Sequence, residues 1–192
     1  MDADGVMQCP SPGWINAMGV LGGRPDFFRD LHLAEVQTIR GEADLAELVT
    51  ELIDARGLDV TFEQFLQVWC RIDLDDAMAK LVRRVRDAGM ITALATNQQS
   101  YRGGYMQRTF DYEALFDRTF YSFEVGLAKP DPEYFLTVVD ALGVRPEEAV
   151  FVDDMLSNVQ GAREAGLRAV LFAATDTHGH LRLKLRDAGV PV

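Results

Sequence analysis

The residues able to do chemistry lie in four short segments. They are Asp2-Ala-Asp4-Gly5-Val6, Thr96-Asn97, Gly126-Leu-Ala-Lys129-Pro130-Asp131-Pro132, and Val152-Asp153-Asp154 followed by Asn158. If these segments meet, three or four carboxylates, one ammonium and one hydroxyl share one place. Carboxylates so close disfavour each other's ionised form unless a cation lies among them. A hard divalent ion suits such oxygen donors, and magnesium is the expected one, with Asp2, Asp4, Asp153 and Asp154 as candidate ligands. The other groups fit phosphoryl transfer, which needs a positioned nucleophile and positive charge around the equatorial oxygens. Asp2 is the candidate nucleophile, giving an aspartyl phosphate. Asp4 is the candidate proton donor to the leaving oxygen and later acceptor from water. Thr96 and Asn97 are candidate phosphate holders, and Lys129 serves both catalysis and phosphate binding by neutralising nucleophile and phosphate.

Such segments converge if they stand at one rim of a parallel sheet, and the pattern after residue 75 is of that kind. Short apolar runs at 90–95, 119–122, 149–152 and 169–172 predict strands. Helical spacing at 76–88, 101–110, 132–142, 159–165 and 181–188 alternates with them, although Gly103 and Gly104 weaken the second of these helices. Before this block the chain reads as all-helical. Apolar residues recur at helical spacing over 42–56, with Gly57 as the stop, and Thr61 with Gln64 forms a capping box for a helix through Phe65, Val68 and Trp69. An earlier helix is expected to start near Pro25 and carry Phe28, Leu31 and Val36. Trp14 falls in the loop where this block begins and is a possible substrate contact, or a packing residue against the block. Gly19, Gly22 and Gly23 read as a hinge or connector, and Thr96 as a cap of the helix after it.

Together, the D-x-D-G-V opening, the T-N pair, G-L-A-K-P-D-P and V-D-D-x-x-x-N resemble, in order and spacing, the four motifs of the haloacid dehalogenase-like hydrolases. Any one of these motifs is common by chance; the ordered set spans nearly the whole chain. The resemblance implies an α/β fold: a Rossmann-like parallel sheet of order 5-4-1-2-3 carrying a small all-helical cap after the first motif. The core is then 1–12 and 74–192, and the cap 13–73. The subgroup resembled includes sugar-phosphate phosphatases and the phosphatase domain of soluble epoxide hydrolases. It implies a magnesium-dependent phosphatase acting on a small organic phosphate monoester through a phosphoaspartate. An acid at position 4 favours phosphate chemistry over carbon–halogen cleavage, because the dehalogenase members lack one there. Asn158 stands where many relatives carry Asp, which bears on how Lys129 is held.

Only Met1 precedes Asp2, so the first strand of the sheet looks truncated, and an apolar segment of about five residues is expected before it. Two other readings follow: a receiver-type phosphoacceptor domain, which would order its acids differently and lack the helical insertion, and a binding module impaired by the missing strand. The 192 residues are 48% hydrophobic, enough for one sizeable core with a small accessory lobe. A net charge of −11 opposes nucleic-acid partners. With no apolar run of membrane length and no export pattern, the expectation is a cytoplasmic protein not bound to membranes. Cys9 and Cys70 read as ordinary thiols, and His178 and His180 as exposed side chains without a metal role.

Overall fold

The computed structural model describes residues 1–22 and 26–192. The expected helix start at Pro25 and the Gly23 connector lie outside them. Four helices form the N-terminal block: α1 (Trp14–Gly22), α2 (Phe27–Thr38), α3 (Leu45–Arg56) and α4 (Phe62–Trp69). They bury a core of their own, built on Met18, Phe27, Leu31, Val49, Phe65 and Trp69. Local chemistry sets the ends of two of them. Asp44 accepts from the Ala46 amide at the start of α3 and Gly57 closes it in the left-handed region, while Thr61 and Gln64 make the capping box that opens α4. Strands β1 (Gln8–Pro10) and β2 (Ile72–Leu74) pair antiparallel on either side of the block in sequence.

The remainder alternates: α5 (Asp76–Asp87), β3 (Ala93–Thr96), α6 (Ser100–Thr109), α7 (Tyr112–Leu115), β4 (Arg118–Tyr121), α8 (Ser122–Val125), α9 (Pro132–Leu142), β5 (Val150–Asp153), α10 (Leu156–Glu164), β6 (Arg168–Leu171) and α11 (His178–Asp187). Strand β3 pairs parallel with β4, and β5 parallel with β6. Between these pairs lie Met1 and Asp2. The Ala95 amide donates to the Met1 carbonyl at 2.8 Å, and the Asp2 amide donates to the Val152 carbonyl at 2.9 Å. Taking Met1–Asp2 as the rudiment of a first strand, the lateral order β6, β5, Met1–Asp2, β3, β4 corresponds to the 5-4-1-2-3 order expected of the resembled fold. Two apolar cores flank the sheet, one containing Leu81, Leu94, Val152 and Leu185, the other Phe120, Phe135, Val139 and Phe151.

Three expectations need correction. Trp14 is not in a loop but opens α1, which continues through Gly19 to Gly22 because burial of Met18 outweighs the low helical preference of glycine. Residues 90–92 are not strand; β3 begins at Ala93, opposite Arg118, where β4 first offers a partner. Thr96 does not cap α6. Gln99 does, accepting from the amides of Tyr101 and Arg102. Helix α6 also runs unbroken through Gly103, where a Cβ would stand 2.4 Å from the Phe123 ring.

Candidate active site

Asp2, Thr96 and Asp153 occupy the ends of the strand-like segments along one rim of the sheet, where a parallel arrangement delivers them. The loop carrying Lys129 crosses the same rim. Its ammonium lies 2.7 Å from an Asp2 oxygen and 2.7 Å from an Asp153 oxygen, with all three side chains buried. One positive charge thus serves two buried carboxylates. Burial raises the Asp2 carboxyl against the pull of Lys129, and Asp153 adds to the rise. Burial alone would lower the Lys129 ammonium, but the two carboxylates more than reverse that.

Asp153 is held from its far side. The Met155 amide donates to it at 2.8 Å, and the Asn158 side-chain amide donates to both its oxygens, at 3.0 and 3.1 Å. Asn158 therefore acts on Lys129 only through Asp153. Asp154 lies beside them and is more exposed. Asp2, Asp153 and Asp154 each offer an oxygen within 4.8 Å of the others, a hard-donor set that suits a divalent cation. Asp4, the fourth candidate ligand, is not in that group. Gly5 makes room for Asp154: with φ at +72°, a Cβ there would stand 2.3 Å from an Asp154 oxygen.

Asp4 is turned towards α6. Arg102 grips it with two nitrogens, one at 2.7 Å, and the side-chain amides of Gln8 and Gln98 donate to it at 3.0 and 2.7 Å. Burial would raise the Asp4 carboxyl; Arg102 and the two glutamines overcome this and bring it down to about 2. With 42% of that side chain exposed, solvent screens part of the pull. Glu35 of α2, half-buried, is near enough to feel both charges, and burial pushes it up to about 7. Arg102, Gln8, Gln98 and Glu35 escape sequence reasoning. Each sits inside an element or a turn with no motif spacing to mark it, and for Gln98 and Arg102 the contacts that reveal them span 94 and 98 residues of chain.

Thr96 is buried at the rim, with its hydroxyl accepting from Gln98 at 3.2 Å. Asn97 has its side chain occupied: it donates to the Lys129 carbonyl at 2.8 Å and accepts from the Lys129 amide at 2.9 Å, which fixes the lysine loop against β3. Trp14 stands apart from this cluster and packs beside Phe28, ring centroids 6.2 Å apart. His178 and His180 are exposed, the former 2.8 Å from Asp75. Cys9 is exposed and Cys70 buried, both free thiols. No described helix is long and apolar enough to cross a membrane.

Known proteins are similar to this chain in sequence and in fold. The chain is 31% identical over 104 residues to bifunctional epoxide hydrolase 2 of Sus scrofa, covering 52% of this chain and 19% of that protein. It is 42% identical over 74 residues to flavin mononucleotide hydrolase 1 of Arabidopsis thaliana, covering 38% of this chain and 29% of that one. The chain thus spans less than a third of the length of either relative. Among solved structures, a HAD family enzyme of Bacteroides thetaiotaomicron, in complex with magnesium and inorganic phosphate, superposes with a TM-score of 0.80 at 23% identity. That match covers 94% of this chain and 96% of that one. Residues 11–166 match the family model described as haloacid dehalogenase-like hydrolase. With that match running over most of its length, the chain belongs to the haloacid dehalogenase-like hydrolases.

Proposed function

We propose that this hydrolase is a magnesium-dependent phosphatase of small organic phosphate monoesters, with Asp2 as the residue transiently phosphorylated. The observation that carries the reading is the convergence of Asp2, Lys129, Asp153 and Asp154, with one ammonium 2.7 Å from two buried carboxylates. Asp2, Asp153 and Asp154 would hold the ion, and when bound it supplies positive charge to the phosphoryl oxygens and to the carboxylates themselves. The Bacteroides enzyme's magnesium and phosphate, and the hydrolysis of a phosphate ester named for the Arabidopsis relative, support the same chemistry.

In the first half-reaction an Asp2 oxygen attacks phosphorus in line with the ester oxygen. The P–O ester bond breaks, and Asp4 gives its proton to the departing alkoxide. In the second, water attacks the phosphoaspartate, loses a proton to Asp4, and phosphate leaves with Asp2 restored. Lys129 neutralises the nucleophile and the transferring group, while Thr96 with nearby amides holds phosphate oxygens. Asn97 contributes indirectly, by fixing the Lys129 loop. Asp4 can carry a proton only after exchanging the Arg102 pair for the substrate, since a carboxyl near 2 holds none at neutral pH.

We also take residues 13–73 as a cap over this rim, because Glu35 in α2 faces Asp4 and Arg102 while α4 meets the core through Phe62 against Tyr101, 5.0 Å between centroids. A cap of this kind suits a small substrate that closure can shield from water. Membership in a hydrolase family removes the ground for a receiver-type domain.

The test is hydrolysis of p-nitrophenyl phosphate with magnesium, by the native chain and by Asp2→Asn. Turnover is expected in the native chain, its loss on addition of EDTA, and its loss in the variant with the fold retained by circular dichroism. Turnover above background in Asp2→Asn would remove the nucleophile assigned here.

A further inference from the structure

Arg102 enters the site with part of its hydrogen-bonding capacity unspent. It stands in the first turn of α6, 6% exposed, and reaches Asp4 with Nη1 and Nη2, while Nη1 also donates to the Gln98 side-chain oxygen at 2.9 Å. Its Nε is shut off from solvent and has no partner among the described residues. Nε and Nη2 share one edge of the guanidinium plane, so the end of the fork holds a carboxylate while this edge is open to a second one. A buried donor left unmade is costly, and a guanidinium edge is shaped for a carboxylate or a phosphate.

The helical block lies on α6 at the residues to either side of Arg102. Before it, the Tyr101 hydroxyl donates to Asp44 at 3.1 Å and the Tyr101 ring meets Phe62. After it, Gly103 accommodates the Phe123 ring, and Gly41, just beyond α2, approaches the Phe123 carbonyl so closely that a Cβ would stand 2.7 Å from its oxygen. Between these contacts α2 presents Glu35, half-buried and near the Arg102 and Asp4 charges, its side chain without a hydrogen bond or ion pair among the described residues. Burial pushes that carboxyl up, so holding it there costs the chain stability at neutral pH. An unpaired acid thus stands near an open guanidinium edge. We infer that Glu35 is a positioning residue: when the block closes over substrate, its carboxylate docks on the Nε and Nη2 edge of Arg102 and loosens the grip of that guanidinium on Asp4.

Charge supplies the reason. A substrate that displaced Arg102 from Asp4 would leave a buried guanidinium unpaired, which is strongly unfavourable unless another anion arrives. The phosphoryl group is matched by Lys129 and the metal ion on the proposed reading, and Glu35 is the acid of this chain placed to take Arg102 instead. Shared between two carboxylates, one guanidinium holds each less tightly, and Asp4 becomes free to meet the leaving oxygen and later water. Closure of the block and readiness of Asp4 are then one event. This role rests on the proposed reading of Asp4 as the proton carrier and of residues 13–73 as the cap, and it adds to that reading the residue that couples the two.

The experiment measures hydrolysis of phenyl phosphate with magnesium by the native chain, Glu35→Gln, Arg102→Met and the double variant. Glutamine keeps the size of Glu35 and loses its charge. Glu35→Gln is expected to lower kcat about 10-fold with KM within about two-fold, the sign of an interaction made on the way to the transition state. In the Arg102→Met background the same substitution should change kcat by less than about two-fold, because the grip it relieves is gone. Native kcat in Glu35→Gln overturns the proposal. So does an equal loss in both backgrounds, which is what a merely structural role gives. Where Arg102→Met fails to fold, the Arg102 Nε–H signal in heteronuclear NMR decides. Adding magnesium and beryllium fluoride, a phosphoryl mimic, should slow its exchange with water about 10-fold in the native chain and not in Glu35→Gln. Equal exchange rates in the two chains overturn the proposal. A native chain without turnover removes the phosphatase reading and this role with it, whereas turnover indifferent to Glu35 removes the role alone.

Discussion

Asp4 accepts from Arg102, Gln8 and Gln98 at once, which occupies the lone pairs at which its carboxylate would take up a proton. On the proposed reading of Asp4 as the acid, substrate must draw Arg102 away before Asp4 can take up a proton. Glu35 stands over the same pair and titrates differently. Burial raises it to about 7, so between its ordinary value near 4.5 and 7 the folded chain binds more protons than the unfolded one. Its contribution to stability is therefore present at pH 4 and lost as pH rises through 7. Glu35→Gln should be neutral at pH 4 and more stable than the native chain at pH 8, by about 2 kcal/mol, in urea titrations at the two pH values. A variant no more stable at pH 8 would show that Glu35 is solvated. The acids and the lysine of the site were legible because each stands in a motif at a strand end or the loop after it. Arg102 and Glu35 were not, because an interior helix position gives no sign of what tertiary folding brings against it.

Helix α10 meets the lysine loop so closely that only glycine fits at the crossing. A Cβ on Gly161 would stand 1.9 Å from the Pro130 carbonyl oxygen, and the neighbour is backbone, which cannot rotate aside. Gly161→Ala should lower the thermal midpoint by about 5 °C and reduce turnover, since the displaced loop carries Lys129. An unchanged midpoint in a calorimetric scan would contradict the crossing as described. Several elements could be read from local signals. The capping box at Thr61 and Gln64, and Pro132 with Gly143 at the two ends of α9, act within one turn of chain and need no tertiary knowledge. Helix α1 and the β1–β2 pair were not legible. The former carries two glycines and is stabilised by burial of Met18, and the latter has three-residue strands whose Cys9 and Pro10 are exposed, so neither shows a period.

The chain carries a net charge of −11, and its site lysine is already spent on two carboxylates. An anionic substrate thus approaches a repelling body with a local cation at its centre. Screening weakens the long-range repulsion more than the buried contacts. Between 10 and 150 mM salt, kcat/KM is expected to rise, roughly two-fold, where a phosphatase with a basic rim would lose rate; a fall would mean that exposed cations do the steering. Between β3 and β5, behind Met1, lies a partly open cavity of about 360 Å³ lined by Leu81, Val138, Leu142 and Leu185, and it has a mechanical consequence. Poorly filled volume inside a fold disappears when the chain unfolds, so compression favours the unfolded state. A sheet with a cavity of about 360 Å³ beside its centre should yield to hydrostatic pressure at a modest load, and high-pressure NMR of the Leu81, Val152 and Leu185 methyls that line it would register the collapse.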